Sequence, residues 1–453
     1  MSPGFGTIAA IATPVGEGGL AVIRVSGSEA LAIADRCFVP AGKAPLQPST
    51  APSHTLHFGH VVRDGRQIDE ALLAIMRGPR TFTREDVIEI TCHGGVLPAK
   101  LVLDAVLANG ARLAEPGEFT RRAFLHGRID LAQAEAVADL IHSQTELAMR
   151  AANEQLAGKL SQRINQLREQ MLKALAHVEA YIDFPEEDIA PETTAQLIAR
   201  LESGVSFMDE LLRSAHEGQI LRRGIRAAII GRPNAGKSSL LNQLLGHERA
   251  IVSAIPGTTR DTIEETANIR GLPVIFIDTA GLREARDEIE VEGIRRSRQS
   301  LERAELVLQV LDASEPLHEP LDELAGKPRI FIRNKIDLPV RLQLPGAAQP
   351  VVDVSCVTGQ GIEALKDAIK KIVWSGDIKA EMLEVMINSR HQDALNRAKA
   401  GTLHTLAALR EGKELELVAM DLRIAVNAIG EIVGQTTTED LLDTIFSQFC
   451  IGK

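Results

Sequence analysis

Cysteine and aromatic residues are scarce in this chain: 453 residues hold four cysteines, one tryptophan and one tyrosine. Cys37, Cys92, Cys356 and Cys450 lie far apart and form no C-x-x-C pair, which excludes a disulfide framework or a Cys-rich zinc module and fits a reducing cytosol. An aromatic content of 3% leaves no stacking platform for single-stranded RNA. Basic residues show no surplus: 50 Lys and Arg stand against 61 Asp and Glu, a net charge of −11. That excludes a protein that coats nucleic acid non-specifically, DNA included, although a local basic site could still bind RNA. No apolar run approaches the roughly eighteen residues that span a bilayer, so no membrane segment is expected. The N-terminus carries no basic stretch ahead of its apolar residues, so no signal peptide is expected either. What remains, 45% hydrophobic and 25% charged residues, is ordinary for a globular chain long enough for two or three cores. These features point to an acidic, soluble, multidomain cytoplasmic protein.

Texture changes three times along the chain. Residues 1–120 alternate short β-branched runs (20–25, 57–62, 71–76 and 87–91) with Gly- and Pro-marked turns, and one amphipathic helix fits 97–108. Between 129 and 217 only two Gly and two Pro occur, and Leu160, Ile164, Leu167, Met171, Ala174, Val178 and Tyr181 form a seam of helical spacing. The seam lasts about three heptads, which suits bundle core better than a coiled coil. The acidic stretch 179–192, with both prolines, reads as a solvated break between two long helices rather than a metal site. From 225 to 373, buried strands at 227–230, 274–277, 306–311, 330–332 and 351–354 alternate with helices, the pattern of a doubly wound sheet. After 381 no proline occurs and helical periodicity returns. The expected fold is therefore multidomain α/β plus α. It has a β-rich domain at 1–120, a helical domain at 121–218, an inserted α/β domain at 219–378, and a second helical part at 379–453.

The inserted domain carries explicit chemistry. Gly231-Arg-Pro-Asn-Ala-Gly236-Lys237-Ser238 matches G-x-x-x-x-G-K-S directly after a strand, so backbone N–H groups of Asn234, Ala235 and Gly236 can wrap a phosphate at a helix N-terminus. Lys237 is expected to reach the β- and γ-phosphates, and Ser238, followed by Ser239, to ligate Mg2+. Asp278-Thr279-Ala280-Gly281 ends the next strand; its Asp would hold Mg2+ through water and its Gly N–H would sense the γ-phosphate. In Asn334-Lys335-Ile-Asp337 the carboxylate can accept both N1–H and the 2-amino group of guanine, donors adenine lacks, so ATP is rejected. Ser355-Cys356-Val357 falls where a backbone N–H would meet guanine O6. A Ras-like P-loop GTPase domain, binding GTP with Mg2+, follows.

Leu282 stands where Ras-like proteins carry the glutamine that orients water, so hydrolysis needs another group, with candidates in the acidic loop 283–290. Asn234 has two readings. Its side chain could bind a monovalent cation at the β/γ bridge, or it could only shape the loop.

Over essentially its whole length the sequence resembles one family, the bacterial tRNA modification GTPases MnmE (TrmE). The motifs that carry the resemblance are Ile11-Ala-Thr-Pro14, Gly18-Gly19 and Arg24, then Glu85-Asp86-Val-Ile-Glu89 and His93-Gly-Gly95. They continue with Pro116-Gly-Glu-Phe-Thr-Arg-Arg-Ala-Phe-Leu125, Asp130-Leu-Ala-Gln-Ala-Glu135, Gly257-Thr-Thr-Arg-Asp261 and the terminal Cys450-Ile-Gly-Lys453. The resemblance implies a homodimer formed through a β-rich N-terminal folate-binding domain, a helical domain with the GTPase domain inserted, and K+-stimulated GTP hydrolysis. With an FAD-dependent partner, as a heterotetramer, such proteins add an aminomethyl or carboxymethylaminomethyl group to C5 of the wobble uridine of certain tRNAs. The one-carbon donor would be 5-formyl- or methylene-tetrahydrofolate.

By position, the resemblance implies that Asn234, Ser253, Ile255 and Thr258 surround K+, that Ser238 and Thr259 hold Mg2+, and that Glu290 orients the attacking water. It places Ser253, Ala254, Ile255, Pro256, Gly257, Thr258 and Thr259 around GTP, and Arg24, Glu89, Arg128 and Lys453 around folate. A carboxylate such as Glu89 suits the pterin, which presents a donor pair like guanine's. Cys450 reads either as a catalytic nucleophile or as a small buried hydrophobe beside Phe446 and Phe449. His93 reads as a ring that satisfies backbone groups rather than one that catalyses. The competing functions are a GTP switch in ribosome or RNA assembly and a stand-alone folate-dependent methyl carrier.

Overall fold

The computed structural model describes residues 6–42, 47–183, 194–246, 264–277, 301–317, 327–344, 349–374 and 380–453. The chain divides into two compact units, one of residues 1–138 with 430–453 and one of residues 139–429. Among the described residues, no helix is long and apolar enough to cross a membrane.

The first unit is built on a seven-stranded sheet. Its strands are β1 (Ile8–Ile11), β2 (Leu20–Ser26), β3 (Phe38–Pro40), β4 (Thr55–Arg63), β5 (Arg66–Met76), β6 (Val87–His93) and β7 (Arg112–Leu113), in the order β3-β4-β5-β6-β2-β1-β7. All neighbours are antiparallel except β1 and β7. The four β-branched runs expected at 20–25, 57–62, 71–76 and 87–91 are β2, β4, β5 and β6, and the helix expected at 97–108 is Val96–Ala108.

Alternation sorts the side chains of β2 and β6. Ala21, Ile23, Val25, Ile88, Ile90 and Cys92 face a core covered by the helices Ala30–Cys37 and Val96–Ala108. Arg24 and Glu89, directly paired across the two strands, face the other side. There Ile8 and Ala10 of β1 pack with Phe119 of the helix Glu118–Leu125. The C-terminal helix Glu439–Phe446 lays Leu442, Ile445 and Phe446 against Leu131 and Ala134, which returns the chain end to this unit.

The second unit contains a six-stranded sheet of β8 (Ile225–Ile230), β9 (Glu265–Ile269), β10 (Leu272–Phe276), β11 (Leu306–Asp312), β12 (Arg329–Asn334) and β13 (Val351–Asp353). The order is β13-β12-β11-β8-β10-β9, parallel except for β9. The five expected strands are present. The sixth, β9, was not expected: its sequence, Glu-Thr-Ala-Asn-Ile, turns only Ala267 and Ile269 inward, too few apolar positions to stand out as a buried strand.

The helical seam forms one helix, Lys159–Asp183, with Leu160 through Val178 of the seam buried and Tyr181 half-buried against His177. Its partner, Thr194–Arg213, carries Gly204, where a Cβ would collide with Met171 of the first helix. Most of the acidic stretch between them lies outside the described residues.

Candidate functional site

The strand order sets the position of the nucleotide site. From β8 the chain reaches β10 on one side and β11 on the other, so the order reverses beside the central strand. Ligands bind beyond the carboxyl ends of strands at such a point. Residues 231–237 follow β8, residues 334–337 end β12 and residues 355–357 follow β13, so parallel pairing brings all three loops to the same edge.

The phosphate loop has the backbone that its residues suggest. Gly231 (φ 151°) and Gly236 (φ 97°) take conformations that other residues rarely adopt. A Cβ on Gly236 would strike the Asn334 side chain. Gly236 caps the helix Lys237–Leu245, whose N-terminal N–H groups and dipole favour an anion. Lys237 Nζ donates to the carbonyls of Gly231 and Arg232, both at 2.9 Å, which folds the ammonium across the loop. Burial pulls its pKa below the usual lysine value. Asn234 sits at φ 61°, a left-handed conformation that asparagine tolerates, with its side chain exposed; it therefore shapes the loop whatever else it does.

Asn334 joins the loops. It is buried, and its Nδ2 donates to Ala235 O (2.9 Å) while its Oδ1 accepts from Cys356 N (3.2 Å). Asp337 stands at the surface with Ser355 Oγ donating to its Oδ1, so the carboxylate is aimed before any base arrives. Lys335, at φ 69°, ion-pairs with Asp312 at the end of β11, and the amide and hydroxyl of Ser314 also donate to that carboxylate. Asp312 and Gln243, whose Nε2 donates to Cys356 O at 2.8 Å, belong to the site and escaped the sequence reading. Neither lies in a recognisable motif.

One expectation changes in detail. In the 355–357 loop the Cys356 N–H is already committed to Asn334, Ser355 N donates to Gln360 O and Thr358 N to Ser355 Oγ. Among the described residues, the N–H without an acceptor here is that of Val357, whose side chain is 84% exposed.

Ser238, the expected Mg2+ ligand, and Ser239, expected at the nucleotide, lie in the first turn of the helix, Ser238 half-buried and Ser239 exposed. Ser253, Ala254, Ile255, Pro256, Gly257, Thr258, Thr259, Asp278, Thr279, Ala280, Gly281 and Glu290 lie outside the described residues. So do most of the proposed K+ ligands and the water-orienting group. Among the described residues, no three His, Cys, Asp or Glu side chains are grouped to hold a metal.

The first unit assembles three of the four expected folate residues. Arg24 Nε bonds Glu89 Oε1 at 2.8 Å, Arg24 Nη1 donates to Gly452 O at 3.3 Å, and the guanidinium lies 5.7 Å from the Phe119 ring centroid. Glu89 Oε2 has no hydrogen-bond partner among the described residues, so the carboxylate is oriented by Arg24 yet keeps acceptor capacity for a pterin donor pair. The terminal residues are fixed beside them: Phe119 N donates to Lys453 O (3.2 Å), and Gly452, at φ 98°, leaves no room for a Cβ against Ile11. Burial, with Arg24 acting in the same direction and Glu89 opposing, pulls the Lys453 ammonium below its usual pKa. Arg128 is exposed; it donates to Thr81 O (2.6 Å) and covers Phe82, which packs on the Phe119 cluster.

Two further readings are corrected. Cys450 is exposed, while Phe446 and Phe449 beside it are buried against each other, so it is not a small buried hydrophobe. The remaining thiols are shielded: burial pushes Cys37, Cys92 and Cys356 up to about 11, with Asp337 adding to the effect at Cys356. Iodoacetamide at pH 8 is expected to alkylate Cys450 at least about ten times faster than the other three, read by peptide mass spectrometry. His93 does not satisfy backbone groups with its ring. Its Nδ1 meets Asp69 Oδ1 at 2.7 Å, and that bond raises its pKa.

The sequence comparisons agree with this geometry. Residues 7–128 match the family described as the GTP-binding protein TrmE N-terminus, and residues 131–450 match the MnmE helical domain. A tRNA modification GTPase MnmE from Geobacillus kaustophilus is 49% identical over 99% of each chain. The proteins of that name from Bacillus velezensis and Geobacter sulfurreducens are each 47% identical, over 99% of this chain and 100% and 99% of theirs. With that identity sustained from end to end, and with both units matched, the chain belongs to the MnmE (TrmE) family of tRNA modification GTPases.

Proposed function

We propose that this chain is a cytoplasmic, K+-stimulated GTPase that drives modification at C5 of the wobble uridine in certain tRNAs. It would act as a homodimer, together with an FAD-dependent partner and a tetrahydrofolate one-carbon donor held by the Arg24, Glu89 and Lys453 cluster and Arg128. The observation that carries the reading is the convergence of a phosphate loop, Asn334 to Asp337 and the 355–357 loop at one sheet edge, in a chain whose relatives bear the name tRNA modification GTPase. Mg2+ would sit on Ser238 and Thr259, where it supplies charge stabilisation for the β/γ-phosphates. Glu290 would orient water in place of the missing glutamine at Leu282.

Two measurements test this. Nucleosides from tRNA of a deletion strain should lack the C5-modified wobble uridine and regain it when the gene is returned; unchanged nucleosides would leave the GTP-switch reading in its place. Hydrolysis should run at least about tenfold faster in K+ than in Na+ at equal ionic strength. Asn234→Gly keeps the left-handed φ that Ala would strain, so loss of the K+ effect in that variant isolates the side chain's role. Equal rates of the wild-type chain in both salts would rule out cation stimulation.

A further inference from the structure

We propose that Gln243 is a positioning residue for guanine recognition, acting through the Cys356–Val357 peptide group. The proposal rests on the reading of 355–357 as the guanine loop and deepens it. Gln243 lies on the helix Lys237–Leu245, the helix that opens at the phosphate loop, and its Nε2 donates to Cys356 O at 2.8 Å. Among the described residues no other donor reaches that carbonyl.

The carbonyl of residue 356 and the N–H of residue 357 belong to one planar peptide unit and point in opposite directions across it. Holding the carbonyl therefore aims the Val357 N–H, the one amide of the loop left for a ligand acceptor. A donor on the carbonyl also polarises the unit and strengthens its N–H as a donor.

The same turn is held from the other side. Asn334 Oδ1 accepts the Cys356 N–H, and Asn334 Nδ2 binds Ala235 O of the phosphate loop. Two amide side chains thus hold Cys356 at both ends: Asn334 ties it to the phosphate loop, and Gln243 ties it to the helix that follows that loop. Asn334 belongs to the recognisable N-K-x-D motif, whereas Gln243 belongs to no motif and adds its tether from the helix. The loop needs that support because the Val357 side chain is largely exposed and does little to fix the peptide plane.

The test uses the full-length chain and two ligands: GDP, and 6-thioguanosine diphosphate, which keeps the N1–H and the 2-amino group but replaces O6 with sulfur, a weak acceptor. Gln243→Met retains length and removes the donor; Gln243→Lys retains length and restores one. GDP affinity should fall about 5- to 10-fold in the Met variant, through faster dissociation, with less than about twofold change for the analogue. The Lys variant should recover most of the loss. Equal weakening of both ligands in the Met variant would mean that Gln243 only packs the helix, and unchanged GDP binding would mean that the peptide needs no tether; either overturns the proposal. A wild-type chain that binds GDP no better than the analogue would instead remove the guanine-loop reading beneath it.

Discussion

Asp337→Asn is expected to lower GTP affinity by about 100- to 10,000-fold and to make xanthosine triphosphate the better ligand. Guanine offers two adjacent donors, N1–H and the 2-amino group, and an ionised carboxylate accepts both. An asparagine offers one acceptor and one donor in the same plane, so its amide NH2 would face guanine's 2-amino group with no acceptor between them. Xanthine carries a carbonyl at C2, which matches that pattern. The residue is well placed for such a swap. Ser355 Oγ already fixes one carboxylate oxygen, and a serine hydroxyl can donate equally well to an amide oxygen. The phosphate loop is held separately, through Asn334 and Ala235, so the triphosphate cradle should survive the change. Competition binding with both nucleotides reads the outcome. Loss of both would indicate a collapsed loop, and unchanged GTP affinity would show that another group reads the base.

The described loops of the candidate nucleotide site could be read in the sequence, and the reason is local chemistry. Gly231, Gly236 and Lys237 lie within one loop, and the conformation at φ 151° and φ 97° favours glycine at 231 and 236, while Asn234 tolerates its φ of 61°. Asn334 and Asp337 flank a single turn. The elements that escaped depend on partners far along the chain. Gln243 meets Cys356 across 113 positions, and no periodicity in the helix marks it. Arg24 and Glu89 were each expected at a folate site, yet their pairing depends on the β2–β6 register, which two short β-branched runs do not specify. For Cys450 a buried reading stood level with a nucleophilic one, because Phe446 and Phe449 precede it closely. The helix ending at Phe446 and the turn after it bury both rings and leave the thiol exposed. Arg121 and Arg122 are indistinguishable by sequence in the same motif. The structure places the first beside Asp443, partly exposed, and buries the second completely.

Arg122→Met should therefore be among the most destabilising single substitutions in the first unit, at about 3–5 kcal/mol. Arg122 is 1% exposed, and its guanidinium donates twice to Glu85 at 3.0 Å, twice to Glu118 Oε1 at 2.8 and 3.3 Å, and once to Gly6 O at 2.7 Å. Glu85 also accepts from Ser26 Oγ, and Glu118 binds Arg112 and the Glu115 N–H. Methionine fills the volume but leaves two shielded carboxylates without their shared cation. For a unit of this size the cost corresponds to a fall of about 10 °C in its unfolding temperature, measurable by calorimetry on the full chain. The pH dependence provides a second check. Burial alone would raise the Glu118 carboxyl, but the bonds from Arg112, the Glu115 amide and Arg122 outweigh it and hold the group below its ordinary value. A carboxyl depressed in the folded state contributes stability that is complete above its unfolded pKa, about 4.3, and that is lost as pH falls through the folded value. The wild-type unit should lose stability steeply below about pH 4. The Met variant, with less hold on the ionised form, should start lower at neutral pH and lose less on acidification, so the two curves converge. Parallel curves would show that Arg122 stabilises by packing alone.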